Sequence, residues 1–264
     1  MFQGINTTVT GFSHIEKGIV CQDSSGVFDG DDFAIAVVAD GHGSRRHFRS
    51  DAGSRIAVKI TAGLISKYMA RPDFRKQFLR HPEFILIQME KQILMKWREA
   101  VEEFHRENPL TDEEKEILKE EKKPGSVPVI YGSTVLAAVM GEEFSFGMVL
   151  GDGGLVVLDD KNRLFIPVED PNAHANYTSS LCNTNALHFF EHWYTKEEIR
   201  GMFVSTDGLF KSFASEEDFL KYHGLILKLL DDPDQAKKSL ERNFAKRTKD
   251  GSGDDISIAM IYRT

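Results

Sequence analysis

The chain has 264 residues, of which 41% are hydrophobic and 28% are charged, the ordinary composition of a globular protein. A formal net charge of -8 argues against a nucleic-acid-binding surface, because such a surface needs a basic face. No apolar run approaches the roughly 18 residues of a membrane-spanning helix, so we predict no membrane contact. The first residues carry neither a basic start nor a long apolar stretch, and we expect a cytoplasmic protein without a signal peptide.

The N-terminal part of the chain changes from strand patterns to helix patterns. Residues 5–12 and 18–28 are short β-type runs, which read as a first pair of strands. They lead into an almost wholly apolar segment, 33–39, which predicts a buried central strand. Apolar side chains then recur at steps of three and four residues. This spacing predicts helices over 48–69 and 83–106, each with one face in the core.

The middle of the chain returns to β patterns. A charged segment, 112–123, comes first and is predicted to be either a solvated helix or a mobile excursion. Four apolar runs separated by turn residues then predict an antiparallel meander. These runs are 131–139, 144–150, 155–158 and 164–168. Residues 170–194 have no clear period and are predicted to form a long loop, which in a compact domain is usually functional or mobile.

The C-terminal part predicts helices near 215–230 and 234–247, followed by a final strand at 255–262. Strands, two long helices, strands, two helices and a strand together imply an α+β layered protein. At this length one large domain is favoured over two.

The two cysteines are Cys21 and Cys182. A cysteine phosphatase of the C-x5-R type needs an arginine six positions after its nucleophile. Those positions hold Val27 and His188, so this chemistry is excluded for both. We predict two small, semi-buried side chains in a reducing compartment.

Four apolar runs are joined to an aspartate beside glycine. The aspartates are Asp40, Asp152, Asp207 and Asp254. Each could be ordinary turn chemistry, since Asp-Gly is common in turns. Four of them at strand ends, far apart in sequence, suggest one shared site. Ligand sets made only of oxygen suit Mg²⁺, Mn²⁺ or Ca²⁺ better than zinc.

The motifs around these residues resemble a known family. They are, in order, Gln22–Asp23, VADGHGS at 38–44, LGDGG at 150–154, STDGLF at 205–210 and GSGDDISI at 251–258. Their order and rough spacing are similar to those of the metal-dependent serine/threonine protein phosphatases, the PPM-type or protein phosphatase 2C family, most of all its compact bacterial branch. The resemblance implies two antiparallel sheets packed face to face with helices outside, as a single domain over residues 1–264.

The resemblance also implies roles for individual residues. Asp40 would bridge two divalent cations, Mg²⁺ or Mn²⁺, with the Gly41 carbonyl beside it. Asp207 and Asp254 would complete the metal centre, and Asp23 would act through water coordinated to a metal. Asp152, together with Asp207, matches the position of a possible third, weaker metal. His42 would protonate the departing serine or threonine oxygen; the alternative for His42 is a turn residue packed beside the strand.

Two positions depart from the family pattern. An arginine that grips the substrate phosphate usually stands five residues before the motif aspartate, where this chain has Gly18. A glutamate often precedes that aspartate, where this chain has Gln22. Arg45 and Arg46 are alternative phosphate-binding candidates, because arginine suits bidentate phosphate contact. The alternative, a plain basic surface run that opens a helix, is slightly favoured for any one of them.

The resemblance implies hydrolysis of phosphoserine and phosphothreonine on a protein substrate that a Ser/Thr kinase modifies. A second hypothesis is a regulatory or binding module that keeps the fold without catalysis. Every acid in the matching positions is present, which favours the enzyme. A third hypothesis is phosphatase action on a small metabolite. The sequence identifies neither the physiological substrate nor the oligomeric state.

Overall fold

The computed structural model describes residues 1–30, 32–120, 126–168 and 178–264 of the chain. Its strands are β1 (Phe2–Val9), β2 (Asp23–Asp29), β3 (Phe33–Asp40), β4 (Val135–Gly141), β5 (Ser145–Leu150), β6 (Gly154–Asp159), β7 (Leu164–Phe165), β8 (Glu191–Thr195), β9 (Ile199–Ser205) and β10 (Ile256–Arg263). Its helices are α1 (Phe12–Lys17), α2 (Ser50–Met69), α3 (Phe74–Arg80), α4 (Pro82–Glu107), α5 (Asp112–Glu120), α6 (Val127–Ile130), α7 (Asp207–Phe210), α8 (Glu216–Leu227) and α9 (Pro233–Asp250). None of the helices in these ranges combines the length and the apolar character that a membrane span requires.

The strands form two antiparallel sheets. One sheet has the strand order β1-β10-β9-β6-β7, and the other has the order β2-β3-β4-β5-β8. The sheets pack face to face through apolar side chains of their central strands, among them Val38, Leu136, Val204 and Ala259. Helices α2 and α4 cover the outer face of the β3 sheet, and α8 and α9 cover the outer face of the β10 sheet. The predicted α+β sandwich with helices outside is therefore confirmed.

The strand β3 is buried on both of its faces, which explains its nearly unbroken apolar sequence. Ala36 and Val38 face the opposite sheet. Ile35 and Val37 face the other way, into a core shared with Trp97 of α4. Both strand faces exclude water, so an alternation of polar and apolar residues is absent. The Trp97 ring is fully buried, and its Nε1–H donates to a backbone carbonyl of α2 at 3.0 Å.

The predicted four-strand meander is wrong in one respect. Strands β4 and β5 pair with each other, but the chain then crosses to the other sheet, where β6 pairs with β7 and β9. Gly151 makes this crossing with a φ of +123°, a left-handed conformation that favours glycine. Hydrophobic patterning defines each strand but does not specify the sheet that the strand joins. The first of the four runs also begins later than predicted, since β4 starts only at Val135.

Two further predictions need correction. The early runs 5–12 and 18–28 overlap β1 and β2, but these strands lie in different sheets, with α1 between them. The predicted loop 170–194 contains β8, which pairs with β5 at the edge of its sheet. Residues 170–177 of that loop lie outside the described part. The short helix α3 was not predicted.

The charged segment predicted at 112–123 forms the helix α5, and its last three residues lie outside the described ranges. Glu114 anchors this helix to the start of α2. Its carboxylate accepts from Arg49 Nε at 2.6 Å and from Arg49 Nη2 at 2.7 Å, and both side chains are largely buried. A bidentate pair of this kind is stronger than an ordinary surface ion pair. The solvated-helix alternative is thus the correct one.

Candidate metal centre

A cavity of about 330 Å³ lies where the two sheets bring several strand ends together. The predicted site residues that line it are Asp40, Gly41, His42, Asp152, Asp207 and Asp254. Its other lining residues are His14, Gln22, Gly43, Thr178 and Asp255. The structure therefore gathers residues that are spread over most of the sequence.

Strand pairing brings three of the carboxylates together. Ser205, the last residue of β9, pairs with Gly154 on one side and with Ile258 on the other. The turns at the ends of β6, β9 and β10 consequently lie side by side. These turns carry Asp152, Asp207 and Asp254.

Gly208 is required for this close approach. A Cβ atom at Gly208 would lie 1.9 Å from the backbone oxygen of Asp255, a distance that no side chain tolerates. The absence of a side chain therefore lets α7 lie directly against the start of β10, which brings Asp207 beside the Asp254–Asp255 pair.

Asp40 and Asp23 face each other in the register of β2 and β3. The backbone N–H of Asp40 donates to Thr134 Oγ1 at 2.9 Å, which fixes the end of β3. Asp23 is buried behind the cavity and does not line it. Its Oδ2 accepts from Thr206 Oγ1 at 2.7 Å, and Thr206 stands directly before Asp207. Asp23 is thus linked through a hydroxyl group to the turn that carries Asp207.

The carboxylates raise each other's pKa. Burial, followed by the charges of Asp23, Asp207 and Asp254, raises the pKa of Asp40 well above its usual value. Burial and the charges of Asp255 and Asp207 raise the pKa of Asp23 in the same direction, against the hydrogen bond from Thr206. Burial and the charge of Asp207 also raise the pKa of Asp254. Crowded carboxylates of this kind favour a bound proton or a bound cation.

Asp255 contributes a contact that the sequence analysis missed. Its side chain is nearly fully buried, and its two oxygens accept from the backbone N–H groups of Gly11 and Gln22, each at 2.6 Å. Oδ1 is also 3.0 Å from His14 Nδ1. Asp255 therefore ties the N-terminal segment and the residue before Asp23 to the start of β10. In the sequence, only the doubled Asp254–Asp255 could have pointed to this role of Asp255.

Lys211 is the second residue that the sequence analysis missed. Its Nζ lies 2.7 Å from Asp152 Oδ2 and 2.7 Å from Asp207 Oδ2, so one ammonium group joins two of the cavity carboxylates. Asp152 Oδ2 also accepts from Thr178 Oγ1 at 3.0 Å. Burial opposes the charged form of Lys211, but the hydrogen bonds to both aspartates prevail and raise its pKa above the usual value.

The donor set suits a hard divalent cation, although the carboxylates are not arranged around one. Within the described ranges, no three acidic, imidazole or thiol groups converge closely enough to hold a metal ion as they stand. Asp207 Oδ1 is buried and has no hydrogen-bond partner among the described residues. Carboxylate and carbonyl oxygens are the ligands that Mg²⁺ and Mn²⁺ prefer. The residues present therefore fit such an ion once Lys211 gives up one of its contacts.

His42 stands at the junction of two cavities. A second cleft, of about 630 Å³, shares His42, Gly43 and Thr178 with the acidic cavity. The His42 ring centroid lies 4.9 Å from that of His47. Burial, then the neighbouring His47, lowers the pKa of His42 to about 4, so its imidazole is neutral at pH 7 in the protein as described.

Comparison with known proteins shows which family the chain belongs to. The family model described as protein phosphatase 2C matches residues 10–245. The chain belongs to the protein phosphatase 2C family. No curated protein gives a significant match to the sequence.

Solved structures of bacterial phosphatases share the fold of this phosphatase 2C chain. The serine/threonine phosphatase Stp1 from Staphylococcus aureus has a TM-score of 0.63 at 14% identity, with 100% of this chain and 96% of that chain covered. PppA, a regulatory component of the type VI secretion system of Pseudomonas aeruginosa, has a TM-score of 0.60 at 16% identity, with coverages of 99% and 97%. The catalytic domain of the phosphatase PstP, solved with two manganese ions, has a TM-score of 0.56 at 14% identity, with coverages of 99% and 97%.

Arg45, Arg46 and Arg49, three arginines near the start of α2 in this phosphatase 2C family member, differ in their ion pairs. Arg45 pairs with Glu120 at 2.6 Å, and Arg49 is held by Glu114. Arg46 has no ion pair in the described part of the chain, and its side chain lines the second cleft. The sequence alone could not separate these three arginines.

The two positions that depart from the family pattern, Gly18 and Gln22, and the two cysteines remain to be placed. Gly18 ends α1 with a φ of +65° and is not part of the cavity wall. Gln22 lines the cavity at the position where the family often has glutamate. Burial raises the pKa of the Cys21 thiol to about 12 and also raises the pKa of Cys182. Both side chains are half-buried, as predicted, and a raised pKa disfavours the nucleophilic thiolate.

Proposed function

We propose that this chain is a metal-dependent phosphatase that hydrolyses phosphoserine and phosphothreonine on proteins. The observation that carries the proposal is the convergence of Asp40, Asp207 and Asp254 in one cavity of a phosphatase 2C family member. The pKa values of Asp40 and Asp254 are raised, and perturbed carboxylates in a cavity are typical of functional sites.

In this proposal the metal ligands come from four segments of the chain. Asp40 and the Gly41 carbonyl at the end of β3, Asp207 of α7 and Asp254 before β10 would hold two Mg²⁺ or Mn²⁺ ions, and Asp152 would hold a possible third. Bound divalent cations lower the pKa of water and stabilise the charge of a phosphoryl group. Asp23, behind Asp40, would orient water at the inner wall of the cavity.

His42 is the proposed proton donor to the leaving group. Its position between the acidic cavity and the second cleft suits a group that meets the bond between phosphorus and the substrate oxygen. The imidazole is neutral in the protein as described, because burial disfavours its charge. A phosphate anion bound beside it would favour the imidazolium form, so protonation of His42 would accompany substrate binding.

Arg46 is the proposed contact for the substrate's anionic group in the second cleft. A charge-assisted hydrogen bond of this kind contributes about 1.5–3 kcal/mol, which corresponds to roughly a tenfold or larger change in affinity. We expect Arg46→Ala to raise the KM for a phosphothreonine peptide about tenfold and to change kcat little. Arg45→Ala is the matched control, since Arg45 is already paired with Glu120. Equal KM values for the two variants would remove Arg46 from the substrate site.

The direct test of the proposed function is phosphate release. We expect purified protein to dephosphorylate phosphoserine and phosphothreonine peptides in the presence of Mn²⁺, and we expect EDTA to stop the reaction. Metal that binds only the folded state also adds stability, about 2.7 kcal/mol at a hundredfold excess over its dissociation constant. The melting temperature should therefore rise with Mn²⁺ and fall again with EDTA.

The two readouts separate the competing hypotheses. A melting shift without phosphate release would favour the non-catalytic regulatory module, which nothing in the site favours at present. Release from small phosphorylated metabolites but not from peptides would favour the third hypothesis. If Mn²⁺ in the millimolar range changes neither melting nor activity, the metal centre is wrong.

Three further expectations from the sequence remain predictions. These are a single phosphatase domain over residues 1–264, a cytoplasmic location, and a protein substrate that a Ser/Thr kinase phosphorylates.

A further inference from the structure

The Lys211 ammonium joins two turns that carry cavity carboxylates. It contacts Asp152, in the turn between β5 and β6, and Asp207, at the start of α7, with both distances at 2.7 Å. Lys211 follows Asp207 by four residues, the spacing that places two side chains on the same side of a helix. Its backbone N–H also donates to the Asp207 carbonyl at 2.7 Å. The backbone thus places Lys211 on the same side of α7 as Asp207, and the ion pairs hold the ammonium between the two carboxylates.

The two aspartate oxygens bound to Lys211 already interact with a positive charge, so another cation would have to compete for them. Asp152 Oδ2 is shared between Lys211 and Thr178, and Asp207 Oδ2 binds Lys211. The free oxygen of Asp207, Oδ1, is the one without a hydrogen-bond partner among the described residues. Asp152 and Asp207, on one side of the cavity, thus share a positive charge that the chain itself supplies.

We propose that Lys211 is an internal cation that competes with divalent metal ions for Asp152 and Asp207. This proposal rests on the metal binding in the proposed function. A divalent ion that binds Asp207 Oδ2 or Asp152 Oδ2 competes with the ammonium for the same oxygen, and the two positive charges repel each other wherever both are held in the cavity. Lys211 consequently weakens metal binding at this side of the cavity and limits how many ions the cavity holds.

The competition predicts a gain of metal binding when the charge is removed. Lys211→Met keeps the length and the apolar stem of the side chain but frees both carboxylates. We expect its apparent Mn²⁺ affinity to rise by about tenfold, the size of effect that one charge makes near a protein surface. An additional bound Mn²⁺ per chain is the second expected sign. Both are measured by calorimetric titration and by the electron paramagnetic resonance signal of free Mn²⁺.

Three variants control the measurement. Lys211→Arg keeps the positive charge and should bind Mn²⁺ about as the unmodified protein does. Lys221→Met removes a lysine that pairs with Glu217 on α8, outside the cavity lining, and should change nothing. The double variant Asp152→Asn with Lys211→Met should lose part of the gain, because one of the freed carboxylates is gone. Melting curves without metal check that each variant is folded.

The possible results all bear on the proposal. Tighter Mn²⁺ binding or a higher ion count in Lys211→Met alone supports it. Unchanged affinity and unchanged ion count in a folded Lys211→Met overturn it, and a gain of the same size in Lys221→Met does so as well. Phosphate release by the unmodified protein tests the proposed function separately, so a failure of Lys211 as competitor and a failure of the phosphatase are distinguished.

Discussion

Replacing Asp207 with asparagine should reduce kcat by on the order of 10³-fold or more, equivalent to about 4 kcal/mol of activation free energy. The amide keeps the shape of the side chain but removes the charge that attracts a divalent cation. Asp207 lines the cavity, and its charge raises the pKa of both Asp40 and Asp254. Removing it should also reduce the rise in melting temperature that Mn²⁺ produces. Phosphate release at saturating Mn²⁺ and thermal melting with and without the metal are the two measurements.

The control is Asp231→Asn, which removes a charge from an exposed residue outside the cavity lining. This variant should keep the activity and the metal-dependent melting shift of the unmodified protein. A near-normal rate for Asp207→Asn at saturating Mn²⁺ would exclude Asp207 from the metal site. Loss of folding without metal in Asp207→Asn would instead assign it a structural role.

The acids of the site could be found from sequence because each follows or precedes a recognisable apolar run. The end of β3 at Asp40 and the turn at Asp207 both have a buried strand on one side and glycine on the other. The order of such motifs is specific even where each one is ordinary turn chemistry. The sequence could only suggest that the acids lie together. Their proximity depends on the pairing of β9 with both β6 and β10, which is a property of the tertiary structure.

The contacts that were missed are those that join distant segments. Asp255 is indistinguishable from Asp254 in sequence, and only the structure shows it accepting from Gly11 and Gln22. The Lys211 contact with Asp152 spans 59 residues and leaves no local pattern. The crossing between sheets after β5 was missed for a related reason, because strands of either sheet bury apolar side chains in the same interior.

His42→Ala should lose a factor of about 10²–10⁴ in kcat on a phosphothreonine peptide, the usual contribution of general acid catalysis. On p-nitrophenyl phosphate the loss should be much smaller. A threonine alkoxide is strongly basic and needs a proton as it departs, whereas a nitrophenolate is a weak base and leaves without one. The cavity carboxylates are untouched by this change, so the Mn²⁺-dependent melting shift should stay nearly constant.

The comparison of the two substrates is decisive only where the chemical step limits the rate. A pre-steady-state burst shows whether product release is slower than the chemical step. The losses of kcat on the two substrates should be compared at saturating Mn²⁺. The matched control is His188→Ala, because His188 is exposed and lines neither the acidic cavity nor the second cleft. If chemistry limits both reactions and His42→Ala loses the same factor on each, His42 is not the proton donor. It would then act as a substrate contact or as a turn residue beside His47, and the proton would have to come from another group or from water.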